Sequence, residues 1–170
     1  MILKQGAYMV IGALALSAVG CSAANAGSAE NEADIGSEVS ALTTTIQAES
    51  AVDLEEGVRE TIHAGYTGSS YVNIDNFSNT FAWYIFSRPT TKTVQIRIRY
   101  ANGSNVNRPI QIHSNSNPTV TVNGAPTGSW STWSWVTANG VTLDAGSNDF
   151  YLGSVTADGM PNIDKFEIIE

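Results

Sequence analysis

Within the body of the folded part, ahead of the final strand, the carboxyl groups free for chemistry are Asp75, Asp144, Asp149 and Asp158, and most sit in turn-like contexts beside Gly or Asn. Glycosidic hydrolysis needs two carboxyl groups facing one cleft at a fixed separation, and acids scattered among separate turns give no sign of that arrangement. No nucleophile elbow, metal-protease helix or phosphate loop occurs. His63 and His113 lie far apart without paired metal-ligand spacing, which reads as structural. Trp, Tyr, Asn and Arg in loop-like stretches are the richer resource. A flat aromatic face packs against the C–H face of a pyranose, while amides and a guanidinium bond hydroxyls or a carboxylate. These residue types suit holding a ligand better than cleaving one.

The elements that must position them read as short strands. Strand signals cover 43–48, 71–74, 81–86, 93–100, 110–113, 119–122, 133–137, 141–143, 150–152 and 163–169, punctuated by Gly, Asn and Ser. In the clearest of them Val94, Ile96, Ile98 and Tyr100 alternate with Gln95, Arg97 and Arg99, so one face is buried and the other wet. Asn123-Gly124 reads as a turn, as does 144–148. Residues 51–59 are ambiguous. Trp133 and Trp135 alternate, which places at least one of them in a core. The spacing predicts an all-β protein, an antiparallel sandwich, with one folded domain over 42–170.

Ahead of that domain, Lys4, an apolar run from Ala7 to Val19 and Ala18-Val19-Gly20-Cys21 read as an export signal over 1–20. Cys21 is the only cysteine, so no intrachain disulfide forms, and its setting resembles a bacterial lipobox, with acylation there as the expected fate. Ala24-Asn25-Ala26 offers an ordinary cleavage site, hence simple secretion, as the alternative. Residues 21–41 are rich in Ala, Ser, Gly and Glu and read as an acidic solvated tether. The expected location is therefore the outer membrane or cell surface, held by a lipid anchor only, or else the medium. A formal charge of -8 argues against nucleic acid as a partner, because phosphate neutralisation needs clustered Lys and Arg.

Six short motifs stand in a fixed order: Ile46-Gln47-Ala48-Glu49, Gly65-Tyr66-Thr67-Gly68-Ser69-Ser70-Tyr71-Val72-Asn73, Arg99-Tyr100-Ala101-Asn102-Gly103, Asn107-Arg108-Pro109, Thr127-Gly128-Ser129-Trp130-Ser131-Thr132-Trp133 and Pro161-Asn162-Ile163-Asp164. Together they resemble the carbohydrate-binding modules of families 6 and 35. The resemblance implies a jelly-roll, galactose-binding-like β-sandwich without catalytic activity. It implies structural Ca²⁺ between the first and last strands, with Gln47, Glu49 and Asp164 at the side-chain ligand positions and a backbone carbonyl from near Arg59 or Asp164. It implies a sugar site at the loop end, with Tyr71 and Trp130 as the aromatic platform, Asn162 as the amide on the sugar, and Asn102 and Arg108 as further polar contacts. Tyr66 competes with Tyr71 for that role, and Trp133 with Trp130. A guanidinium grips a carboxylate bidentately, so Arg108 makes a uronic acid an attractive ligand. The expected partners are a cell-wall polysaccharide or oligosaccharide and the glycoside hydrolases or lyases that such modules accompany. A glycan-active enzyme and a protein-binding adhesin or assembly subunit are the alternatives.

Overall fold

The computed structural model describes residues 41–170. The export signal, Cys21 and almost all of the tether lie outside the described residues.

Eleven strands follow in order: β1 (Thr43–Gln47), β2 (Asp53–Glu55), β3 (Gly57–Glu60), β4 (Tyr71–Ile74), β5 (Phe81–Arg88), β6 (Lys92–Ala101), β7 (Ile110–Ser114), β8 (Val120–Val122), β9 (Ser134–Leu143), β10 (Gly146–Ser154) and β11 (Asn162–Ile169). One six-stranded sheet has the order β3-β4-β11-β6-β9 with β1 also on β11, and the five-stranded sheet has the order β2-β5-β10-β7-β8. All the pairings are antiparallel. The fold is the expected β-sandwich.

Alternation explains the core. On β6, Val94, Ile96, Ile98 and Tyr100 are buried, whereas Gln95 is exposed and Arg97 and Arg99 are half-buried. Beside them on the same sheet are Phe166 and Ile168 of β11, and facing them from the other sheet are Phe150 and Leu152 of β10. Phe150 and Phe166 stack at 5.0 Å, and Tyr84 meets Phe166 edge-on at 5.0 Å. Burying each such side chain contributes about 1.5–3 kcal/mol.

Three expectations about local structure change. Residues 51–59 contain β2 and β3, which belong to different sheets: β2 pairs with β5, and β3 with β4. The crossing occurs at Glu56, a non-glycine residue at φ 52, and a segment that changes sheets keeps no single buried face for periodicity to reveal. The two strands expected over 133–143 are one strand with a bulge. Val94 opposes Val141 and Ile96 opposes Ala138, so Asn139 and Gly140 together face Gln95, and Gly140 supplies the positive φ of 76.

Asn123-Gly124 is not a turn. Gly124 is buried and its carbonyl accepts from Arg108 N at 3.1 Å and from Asn102 Nδ2 at 2.7 Å. A Cβ there would lie 2.2 Å from the Arg108 carbonyl oxygen, so glycine is required by close approach of two loops.

Neither Trp133 nor Trp135 enters the core. Trp135 lies on the outer face of its sheet beneath the Arg97 guanidinium, 4.2 Å away. Trp133 donates from Nε1 to Ala64 O at 2.9 Å and meets Tyr71 edge-on at 5.6 Å, clamping the 61–70 loop.

Candidate functional site

At the end of the sandwich where β11 begins, loops enclose a cavity of about 250 Å³. Asn162, the first residue of β11, and Asn73 and Ile74 at the end of β4 form its floor. Asp75 and Asn76 continue from β4, and Arg108, Trp130 and His63 reach in from three other loops. Of the five expected sugar contacts, the structure thus brings Arg108, Trp130 and Asn162 together.

Arg108 is 8% exposed. Its Nη1 donates to Asn76 Oδ1 at 2.9 Å and to Met160 O at 3.4 Å, and the guanidinium lies 5.0 Å over the Trp130 ring. The buried Nε has no hydrogen-bond partner, and Arg108 forms no salt bridge among the described residues. Burial lowers its pKa while the charge of Asp158 opposes that shift. An arginine remains protonated at any physiological pH, so the cavity wall carries a largely desolvated cation with no salt-bridge partner among the described residues.

Trp130 is placed by a glycine. A Cβ on Gly103 would stand 2.5 Å from Cδ1 and Cγ of Trp130, so the indole rests directly on that backbone. Gly103→Ala must push the indole out of position. The expected result is a loss of sugar affinity of about tenfold with no more than about 1–3 kcal/mol lost in stability, read by titration calorimetry beside urea denaturation.

Two expected contacts are corrected. Asn102 is fully buried, and its amide is spent inside the protein. Its Nδ2 donates to Val106 O and Gly124 O, and its Oδ1 accepts from the backbone N–H and hydroxyl of Ser104. Backbone bonds to Thr127 complete its role as the knot that ties the loops carrying Arg108 and Trp130.

Tyr71 is also fully buried, with its hydroxyl donating to Glu60 Oε2 at 2.8 Å. It supports the cavity from behind, 6.0 Å from His63, and Tyr66 packs against it at 5.6 Å. Burial, followed by the bond to Glu60, pushes the Tyr71 phenol up to about 12 from 10.0. A phenol with a raised folded pKa stabilises fully below its unfolded value and loses that contribution as pH climbs through the window from 10 to 12. Urea midpoints should therefore fall across that window, and Tyr71→Phe should flatten the fall.

The residues expected to hold metal do converge. Gly68 lies against Glu49 Oε1 and Gln47 Oε1, and Thr67 Oγ1 bridges Gln47 Oε1 at 3.1 Å and Asp164 Oδ2 at 3.1 Å. Ser69 N donates to Glu49 Oε1 at 2.7 Å. Asp164 is fully buried and accepts from Arg99 Nη1 at 2.6 Å. Glu49 Oε2 is buried with no partner among the described residues. The donors are all oxygen, and an orphaned carboxylate oxygen is the atom most in need of a cation, so the set suits a hard ion such as Ca²⁺. No group of three His, Cys, Asp or Glu placed to hold a metal occurs among the described residues, so amide and backbone oxygens would have to complete the coordination of such an ion.

The family model described as carbohydrate binding module (family 6) matches residues 47–170. The chain belongs to that family. This family 6 chain is 37% identical over 124 residues to an exo-beta-D-glucosaminidase of Amycolatopsis orientalis, a match covering 72% of this chain and 12% of that protein. It is 34% identical over 116 residues to endo-1,4-beta-xylanase B of Cellvibrio japonicus, covering 67% of this chain and 19% of the relative. The chain thus spans a fifth or less of the length of these curated relatives.

Among solved structures it is similar to a family 35 carbohydrate-binding module from Cellvibrio japonicus, with a TM-score of 0.71, 30% identity, and coverage of 76% of this chain and 94% of the other. A family 35 module solved in complex with a glucuronic-acid-containing disaccharide gives a TM-score of 0.69 at 31% identity, covering 74% and 92%. A native family 35 module from Clostridium thermocellum gives 0.67 at 32% identity, covering 75% and 97%.

Five cavity residues of this family 6 module were not expected from sequence: His63, Asn73, Ile74, Asp75 and Asn76. Asn73 closes the Gly65 to Asn73 motif and Ile74-Asp75-Asn76 follows it directly, so that motif's end was the available signal. His63 had none, since an isolated histidine carries no spacing.

Proposed function

We propose that the cavity holds an acidic sugar without cleaving it, with the carboxylate on Arg108, the ring against Trp130, and hydroxyls on Asn162 and Asn73. The observation that carries this reading is the buried Arg108 guanidinium, which forms no salt bridge among the described residues. A ligand carboxylate would supply the missing charge and a bidentate bond for its fork. Trp130 5.0 Å below the guanidinium sets the sugar ring and its carboxylate on adjoining surfaces. The likeness to a module solved with a glucuronic-acid-containing disaccharide supports the ligand class. Asp75 is the one carboxylate among the described lining residues, which supports binding over a two-carboxylate hydrolytic mechanism.

In this reading Gln47, Glu49 and Asp164 hold Ca²⁺, which stiffens the junction of β1, the 61–70 loop and β11 without touching the sugar. Cys21 is the acylated anchor residue of an exported protein, and a lipid mass adduct on Cys21 is the observation that checks it. Hydrolases or lyases acting on the same glycan are the expected partners. Xylan, mannan, galactan and uronide panels test the ligand: retention without new reducing ends supports the reading, release of reducing ends indicates an enzyme, and neither indicates an adhesin.

A further inference from the structure

His63 shares the cavity with Arg108. Its ring lies 6.3 Å from that of Trp130 at an interplanar angle of 25° and 6.0 Å from that of Tyr71 at 29°. His113, by contrast, lies on β7 in the other sheet with Nδ1 3.3 Å from Thr119 Oγ1. The imidazole of His63 is half-buried and makes no side-chain hydrogen bond among the described residues, so both nitrogens are free for a ligand.

Around it stand the phenols of Tyr71 and Tyr66, Glu60 behind Tyr71, and Asp75 and Arg108 in the same cavity. Of these groups, only an imidazole ordinarily changes charge between pH 5 and 8.

We infer that His63 is a specificity-determining residue that adds a second, proton-dependent cation opposite the sugar carboxylate, so that discrimination between acidic and neutral sugars steepens as pH falls. This rests on the acidic-sugar reading of the cavity. A protonated imidazole donates from both nitrogens and adds a positive charge to the field of Arg108; a neutral one offers one nitrogen as an acceptor and suits a hydroxyl. A sugar carboxyl stays ionised across the range, so the dependence comes from the protein.

The test is titration calorimetry with a glucuronic-acid-containing disaccharide and its neutral glucose counterpart at several pH values from 8 to 5.5. The ratio of the two affinities should rise by about tenfold on acidification in the natural chain, which is the scale of one charge-assisted hydrogen bond. His63→Gln and the ring-preserving His63→Phe should both weaken binding and hold the ratio constant with pH, whereas His113→Gln keeps the rise. A flat ratio in the natural chain, or a rise that survives in both His63 variants, overturns the inference and leaves the acidic-sugar site standing. Failure of both disaccharides to bind at every pH overturns the site and the inference together.

Discussion

Asp164→Ala should cost the domain about 3–5 kcal/mol, the range for removing one partner of a buried ion pair, read as a fall in the urea midpoint at unchanged slope. The carboxylate is fully buried and receives the Arg99 guanidinium at 2.6 Å together with the backbone N–H and hydroxyl of Thr67. Its removal strands Arg99, which also donates to Gly65 O at 3.0 Å and sits 5.5 Å over Trp133. The 61–70 loop therefore loosens along with the pair. Chelation separates the metal's share. If Ca²⁺ is held at a hundredfold excess over its dissociation constant, EDTA removes about 2.7 kcal/mol from the natural chain and little from Asp164→Ala. An equal EDTA effect in both, or no effect in the natural chain with no metal by elemental analysis, would remove calcium from Gln47, Glu49 and Asp164.

The second large effect falls on ligand affinity. Trp130→Ala should weaken acidic and neutral sugars alike by about tenfold or more, because stacking does not read charge. Arg108→Lys is the sharper probe: it keeps the charge but loses the fork that reaches Asn76 and Met160 while facing the ligand. The expected loss is about 10–100-fold for an acidic disaccharide, the scale of a charge-assisted bond of 1.5–3 kcal/mol, with a far smaller change for the neutral one. Arg108→Ala would mix this with the stability cost of emptying a buried position, so its melting curve must accompany any affinity. Unchanged affinity in both Trp130→Ala and Arg108→Lys would reject the cavity as the sugar site.

Strand positions were legible because burial on one face imposes a period of two, as on β6, and this survived into the sheet almost residue for residue. The 51–59 stretch was not, because β2 and β3 give their buried faces to different sheets. Trp130, Arg108 and Asn162 could be named from ordered motifs, yet motifs do not say which atoms face solvent. Tyr71 and Asn102 belong to the same motifs and turned inward, since a phenol that reaches Glu60 and an amide that makes four hydrogen bonds within the protein are already satisfied. His63 became meaningful only when the fold set a loop residue beside an indole more than sixty positions away.

The pairing of β1 with β11 has a mechanical consequence. Thr43 is the register partner of Ile169, while Asn162 at the cavity lies at the other end of β11, about 23 Å away over the seven steps of the strand. Tension between Thr43 and Ile169 would open the seam like a zip, one rung at a time. Tension between Thr43 and a glycan held at the cavity instead loads β1 lengthwise against β11, and the five register pairs from Thr43 to Gln47 resist it in parallel. The same seam is thus weak to a pull across its own ends and strong to a pull from the sugar it would carry.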